Sequence, residues 1–217
     1  MNIAEHLVRR IPADARAEYE QLLVVARLDE PMVSDSDALA AFVGPSALLL
    51  DELGRSGRSL RDLTGGGASD TPAQRSVRDQ LMASKLVRAH DGVLVRTPIG
   101  DSLVEQPDKL WRHLAATITN AGHEIASDGV TLLLLVIAAD EYGSDYQDRI
   151  AAGLAALGWR TTDGDELDKW DAFEAVVAQY RFLSHAGAVS AGEGESGATT
   201  IGADFARTAL RVESAQS

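Results

Sequence analysis

The sequence predicts a mainly α-helical protein carrying small β-hairpins. Hydrophobic residues make up 45% of the chain and aromatic residues only 5%. Alanine and leucine lead the apolar set, and these favour helices, whereas strands favour β-branched and aromatic side chains. Apolar residues recur at helical spacing over most of the 217 residues. Finally, Asp91-Gly92 stands between "LVRA" and "VLVRT", two short runs of strand character around a tight-turn dipeptide.

Pro12 and the "DEP" at Asp29–Pro31 bracket a first clear helix, with Ala17, Tyr19, Leu22, Leu23 and Ala26 on one stripe. Ser34 or Ser36 is placed to cap the next helix, and Gly44-Pro45 is expected to break it. "SALLLDELG" then reads as a short helix closed by Gly54. Ser59 is a cap for a short helix Leu60 to Leu63, and "TGGGAS" is a connector. Asp70 or Thr71 caps a helix from Pro72 to Leu86. On it Ala73, Val77 and Leu81 face one way, and Arg75, Arg78, Asp79 and Met82 the other. After the hairpin and "TPIG", "DKLWRHLAATITNAGHEIAS" reads as one helix and Gly129 to Tyr142 as a very apolar one. "DYQDRIAAGLAALGWR" is another, ended by Gly158. The last long helix buries Phe173, Val176, Val177, Tyr180 and Leu183. The apolar run Val130 to Ala139 is half the roughly 20 residues needed to span a bilayer, so no membrane is expected.

One stretch of the chain returns. "LMASKLVRAHDGVLVRTPIGDSL" (Leu81 to Leu103) aligns without a gap on "LSHAGAVSAGEGESGATTIGADF" (Leu183 to Phe205), with seven of 23 positions identical. The offset is 102. Helix end, hairpin, Ile-Gly and helix start come in the same order, which predicts two modules of one architecture.

Helix, helix, two-stranded hairpin is the order of a winged helix-turn-helix, and "L…SKLV…DG…TPIG…L" resembles that class. The resemblance implies two winged-helix-like modules joined by helices, with the helix before the hairpin entering a major groove. The expected segments are residues 1–44 (N-terminal helices), 45–106 (first module), 107–143 (connecting helices) and 144–217 (second module). A narrower likeness covers residues 97–160. Thr97, Gly100, Pro107, Leu110, Trp111, His113, Leu114, Gly158 and Trp159 match a pattern similar to the C-terminal region of the actinobacterial plasmid ORF-three-like family. That likeness implies a bacterial mobile-element or defence setting and no particular chemistry.

Net charge is −13, unevenly spread. Residues 1–44 carry four basic against eight acidic side chains, residues 45–100 eight against six, and residues 101–217 eight against nineteen. Phosphate contact belongs to the middle stretch, because nucleic-acid binding is largely electrostatic. The chain has no cysteine, so disulfides and thiolate metal sites are excluded. A reducing cytoplasm fits, and the N-terminus lacks the apolar segment of a signal peptide.

No nucleophile-elbow, phosphate-loop, dinucleotide or zinc-protease motif is present, so no enzyme and no cofactor are expected. His113 and His123 are ten residues apart, which suits no ligand spacing. "DEYGSDYQD" (Asp140 to Asp148) is a solvated acidic turn, and Trp111, Trp159 and Trp170 are expected in packing. Two binding readings follow. In the favoured one, a regulator holds double-stranded DNA through the first module, with Gln74, Arg75 and Arg78 at bases or phosphates and Lys85, Arg88 and Arg96 along the backbone. Against it, Arg75 and Asp79 suit an ordinary i,i+4 surface pair. A homodimer would double the contact area and the acidic repulsion alike. In the alternative, the chain keeps the fold without touching DNA. It then meets a basic protein, or mimics DNA, through Asp168, Asp171, Glu174, Glu193 and Glu195.

Overall fold

A computed structural model describes residues 1–29, 35–54, 57–59, 71–191 and 196–212. The protein is mainly helical with small antiparallel strands. Helix α1 (Ile3–Arg10) is capped by Asn2, whose side chain accepts from the Glu5 N–H at 2.8 Å. Helix α2 (Ala13–Ala26) follows Pro12 and buries Tyr19, Leu22 and Ala26, leaving Ala17 in solvent.

Helix α3 (Ser36–Leu53) differs from expectation at both points. Its cap is Asp35, whose carboxylate accepts from the Asp37 N–H at 3.0 Å. It also runs straight through Gly44-Pro45, the expected break and segment boundary. An internal proline costs about 3 kcal/mol. Burying each of Phe42, Leu50 and Leu53 returns about 1.5–3 kcal/mol, and Pro45 lies on the exposed side. Packing therefore outweighs the breaker.

Helix α4 (Pro72–Ala83) opens on a full capping box: Thr71 Oγ1 accepts from Gln74 N–H at 3.2 Å, and Gln74 Oε1 accepts from Thr71 N–H at 2.9 Å. It ends before the expected Leu86, because Lys85 turns left-handed (φ 58°) and Leu86 N–H reaches back to the Leu81 carbonyl. Strands β1 (Arg58–Ser59), β2 (Val87–His90) and β3 (Val93–Arg96) form one sheet in the order β1-β3-β2. Asp91 and Gly92 take φ 50° and 74°, the two positive angles a two-residue turn of this hand needs. Ser59 thus lies in a strand that the sequence did not announce, and the expected helix Leu60 to Leu63 and the "TGGGAS" connector lie outside the described residues. The short helix α5 (Pro98–Leu103) follows.

The expected single helix after Pro107 is two. Helix α6 (Pro107–Thr117) stops, Gly122 turns at φ 82°, and helix α7 (Glu124–Ala138) begins. From Asp128 to Ala138 every residue of α7 is buried, and it packs on α1, α2, helix α8 (Tyr146–Ala156), helix α9 (Lys169–His185) and helix α10 (Thr200–Leu210). Close approach needs glycine at two points. A Cβ on Gly129 would sit 2.9 Å from Val176, and one on Gly153 would sit 2.7 Å from Leu132. Phe42, Trp111, Phe182 and Phe205 form the aromatic centre, with Trp111 4.8 Å from Phe42 and 5.0 Å from Phe205 between ring centroids. Trp159 is only half-buried, and Trp170 is 62% exposed. The expectation that all three tryptophans pack inside therefore fails for Trp170, which stands on the outer face of the first turn of α9. Among the described residues, no helix is long and apolar enough to cross a membrane.

The internal echo extends to single atoms. Val87, Arg88 and Ala89 pair with Arg96, Val95 and Leu94. Between strands β4 (Val189–Ala191) and β5 (Ser196–Ala198), Val189, Ser190 and Ala191 pair with Ala198, Gly197 and Ser196. Every partner is shifted by the same offset as the sequence alignment. Thr97 caps α5 and sends its hydroxyl to the Lys85 and Leu86 carbonyls at 2.8 and 3.1 Å. Thr199 caps α10 and reaches the Gly187 and Ala188 carbonyls at 2.6 and 3.1 Å. Among the described residues the repeats differ in one respect: β1 adds a third strand to the first hairpin, whereas β4 and β5 form a sheet of two strands.

Candidate interaction surfaces

Helix α4 packs along α9. Both end at the hairpin of their own repeat, and they meet through equivalent positions. Arg75, Ser76 and Asp79 of α4 face Val177, Ala178 and Arg181 of α9 across a cleft of about 340 Å³. These are matching residues of the two repeats, as at a two-fold interface between identical subunits. A hydrogen bond of 2.9 Å joins Ser76 Oγ to His185 Nδ1. The Ser76 hydroxyl also donates to the Ala73 carbonyl at 2.9 Å, and Ser76 is buried.

The six basic-stretch candidates separate into two groups. Arg75, Lys85 and Arg88 are exposed. The other three are engaged in the fold. Gln74 turns its side-chain carbonyl back to the helix cap. Arg78 pairs with Asp79 at 3.2 Å and is 13% exposed. That ion pair replaces the expected pairing of Arg75 with Asp79. Arg96 donates to the Gly54 carbonyl at 3.2 Å, pairs with Asp101 at 2.9 Å and is 12% exposed. It ties the hairpin to α3 and α5 and does not point outward along a backbone track. Arg75, Arg78, Lys85 and Arg96 therefore form no unbroken row of free cations.

In the second repeat, Asp168 and Asp171 make a reciprocal cap at the start of α9. Asp168 Oδ1 accepts from the Trp170 and Asp171 N–H groups at 2.7 and 3.0 Å, and Asp171 Oδ2 accepts from Asp168 N–H at 3.0 Å. Glu174 is exposed on the same helix. Glu193 and Glu195 lie outside the described residues. A cleft of about 440 Å³ opens beside this cap, lined by Ala151, Ala152 and Ala155 of α8, by Leu167 and Trp170, and by Asp148, Glu166 and Asp168. The exposed indole is the feature that sequence reading missed. Its only signal was Trp170 falling outside the stripe of Phe173, Val176, Val177, Tyr180 and Leu183.

A third cleft, about 540 Å³, lies at the start of α7 between His6, Arg10, His123 and Glu124. Its floor is Asp128, which accepts from both Arg10 terminal nitrogens at 2.8 and 3.0 Å and from Trp159 Nε1 at 2.9 Å. With its lone pairs so occupied, this carboxylate reads as a cross-brace between α1, α7 and the end of α8. Among the described residues, no group of three or more His, Asp or Glu side chains is arranged to hold a metal ion. Burial raises the phenols of Tyr19, Tyr142 and Tyr146 above the ordinary 10.0, so all three stay protonated near neutral pH. Tyr19 donates to the Arg149 carbonyl at 2.9 Å, and Tyr146 stacks between Tyr142 and Tyr180.

No protein-family model, no curated protein and no solved structure matches this chain.

Proposed function

We propose that the chain is a non-catalytic interaction protein built of two fused winged-helix-like repeats, and that its partner is a basic protein. The observation that carries this reading is the packing of α4 on α9 through equivalent residues. A recognition helix needs a bare face to enter a major groove. Here the two helices in that position are turned on one another, and Arg78 and Arg96 are spent on neighbouring carboxylates. The net charge of −13 adds long-range repulsion of nucleic acid and attraction to basic surfaces.

The test uses the full chain in two arms. Fluorescence anisotropy with labelled mixed-sequence duplex at low ionic strength is expected to show no salt-sensitive binding. Salt-sensitive binding that falls when Arg75→Ala, Arg78→Ala and Arg88→Ala are combined would restore the DNA-regulator reading. Retention on immobilised poly-lysine is expected, weakened by the triple change Glu174→Lys, Glu193→Lys and Glu195→Lys. No retention at low salt refutes the proposal.

A further inference from the structure

We infer that the cleft between α8 and the start of α9 docks a segment of a basic protein, one that presents a large apolar side chain flanked by lysine or arginine. The inference rests on the basic-partner reading above and assigns it a place. Trp170 is the largest exposed apolar side chain among the described residues, at 62% exposure. A solvent-facing tryptophan is an unusual cost in a folded chain, and tryptophan is the residue most enriched among energetic anchors of interfaces. The backbone that carries the indole is also held ready. The Trp170 main-chain N–H donates to Asp168 Oδ1 at 2.7 Å, and the reciprocal cap with Asp171 pins the first turn of α9. Binding therefore pays little to order the backbone of the anchor.

The floor beside the indole is made of Ala152, which is exposed, and Ala155, half-buried, with Leu167 as a wall. Methyl groups leave room for an incoming side chain, where longer residues would fill the space themselves. The rim supplies the charge preference. Asp148, Glu166 and Asp168 surround the cleft and all three are exposed. Lys169 is the one cation beside them, and its Nζ lies 5.5 Å from the Trp170 ring centroid. Lys169 holds that ring face, so the preference for a basic partner comes from the three carboxylates of the rim. Apolar anchor, small floor and acidic rim together fit a basic, amphipathic segment and disfavour an acidic one.

Two synthetic peptides of equal charge separate this inference from the reading beneath it: a helical Leu/Lys peptide and an oligolysine. Binding is followed by anisotropy of the labelled peptides at low ionic strength and by tryptophan emission. The Leu/Lys peptide is expected to bind at least tenfold more tightly than oligolysine and to shift the emission to the blue. Trp170→Ala, folded as judged by an unchanged urea transition, is expected to bring its affinity down to the oligolysine level and abolish the shift. Ala152→Arg, which blocks the floor and leaves the indole in place, is expected to do the same. Equal affinity for the two peptides, or an unchanged affinity in Trp170→Ala, overturns the docking site while the basic-partner reading stands. Absence of binding by either peptide overturns both.

Discussion

Consider an alanine at Gly100. A Cβ built there lies 2.2 Å from the Leu86 carbonyl oxygen, and the matching Cβ on Gly202 lies 1.9 Å from the Ala188 carbonyl. Carbon and oxygen settle at about 3.3 Å, so the backbone has to open by about 1 Å in either repeat. The atoms in the way are backbone and cannot rotate aside. Moving them breaks a specific set of bonds. The Leu86 carbonyl accepts from Thr97 N–H at 3.0 Å and from the Thr97 hydroxyl at 3.1 Å, and the Ala188 carbonyl accepts from Thr199 in the same way. Two lost hydrogen bonds with a buried acceptor left behind cost about 3–4 kcal/mol. That is a large part of the 5–15 kcal/mol that holds a typical domain together. Gly100→Ala and Gly202→Ala are each expected to lower the urea midpoint by about 1 M or more. Gly197→Ala is the control: its nearest neighbour is Ser190 Oγ at 3.9 Å, and it is expected to be neutral or stabilising by about 0.5 kcal/mol. A loss below about 1 kcal/mol at Gly100 or Gly202 would refute the account of how each helix locks onto its hairpin.

Asp128→Ala leaves the half-buried Trp159 N–H without its acceptor and frees Arg10, and is expected to cost about 2–3 kcal/mol in urea unfolding; a cost under about 0.5 kcal/mol would show that the brace is idle. Alkaline titration reports on the buried tyrosines. Their folded pKa values are raised above the unfolded 10.0, so the folded state holds more protons than the unfolded one above that pH. Their contribution is complete below pH 10 and is lost as pH climbs further. Stability is expected to fall above pH 10, less steeply in Tyr19→Phe, and a flat profile to pH 11 would contradict the assignment.

The repeat was legible because its signals are local. Asp-Gly announces a turn by the angles it tolerates, and Thr-x-x-Gly carries both a cap and a close approach within four residues. The hairpin, the cap at Thr71 and the buried α7 follow from such short-range rules. Pro45 misled because its penalty is local, while the burial that outweighs it comes from α6 and α10, far along the chain. Arg96 illustrates the same limit for the candidate surface. Its charge is visible in sequence, but the Gly54 carbonyl and Asp101 become its partners only after folding. Trp170 looked like core because tryptophan usually is; only the rotation of α9, set by Val176 and Leu183 facing inward, turns it out.

The meeting of α4 and α9 has a consequence for how this protein can change. In a symmetric pair of identical chains every substitution arrives twice, once on each side of the axis, so an acid gained in one copy is gained in the other. Here the two sides are encoded separately. One can accumulate carboxylates, or set an arginine where its twin keeps an aspartate, as Arg181 stands opposite Asp79, without its counterpart following. Joined end to end, the halves keep a shared seam while their outer faces are free to drift apart.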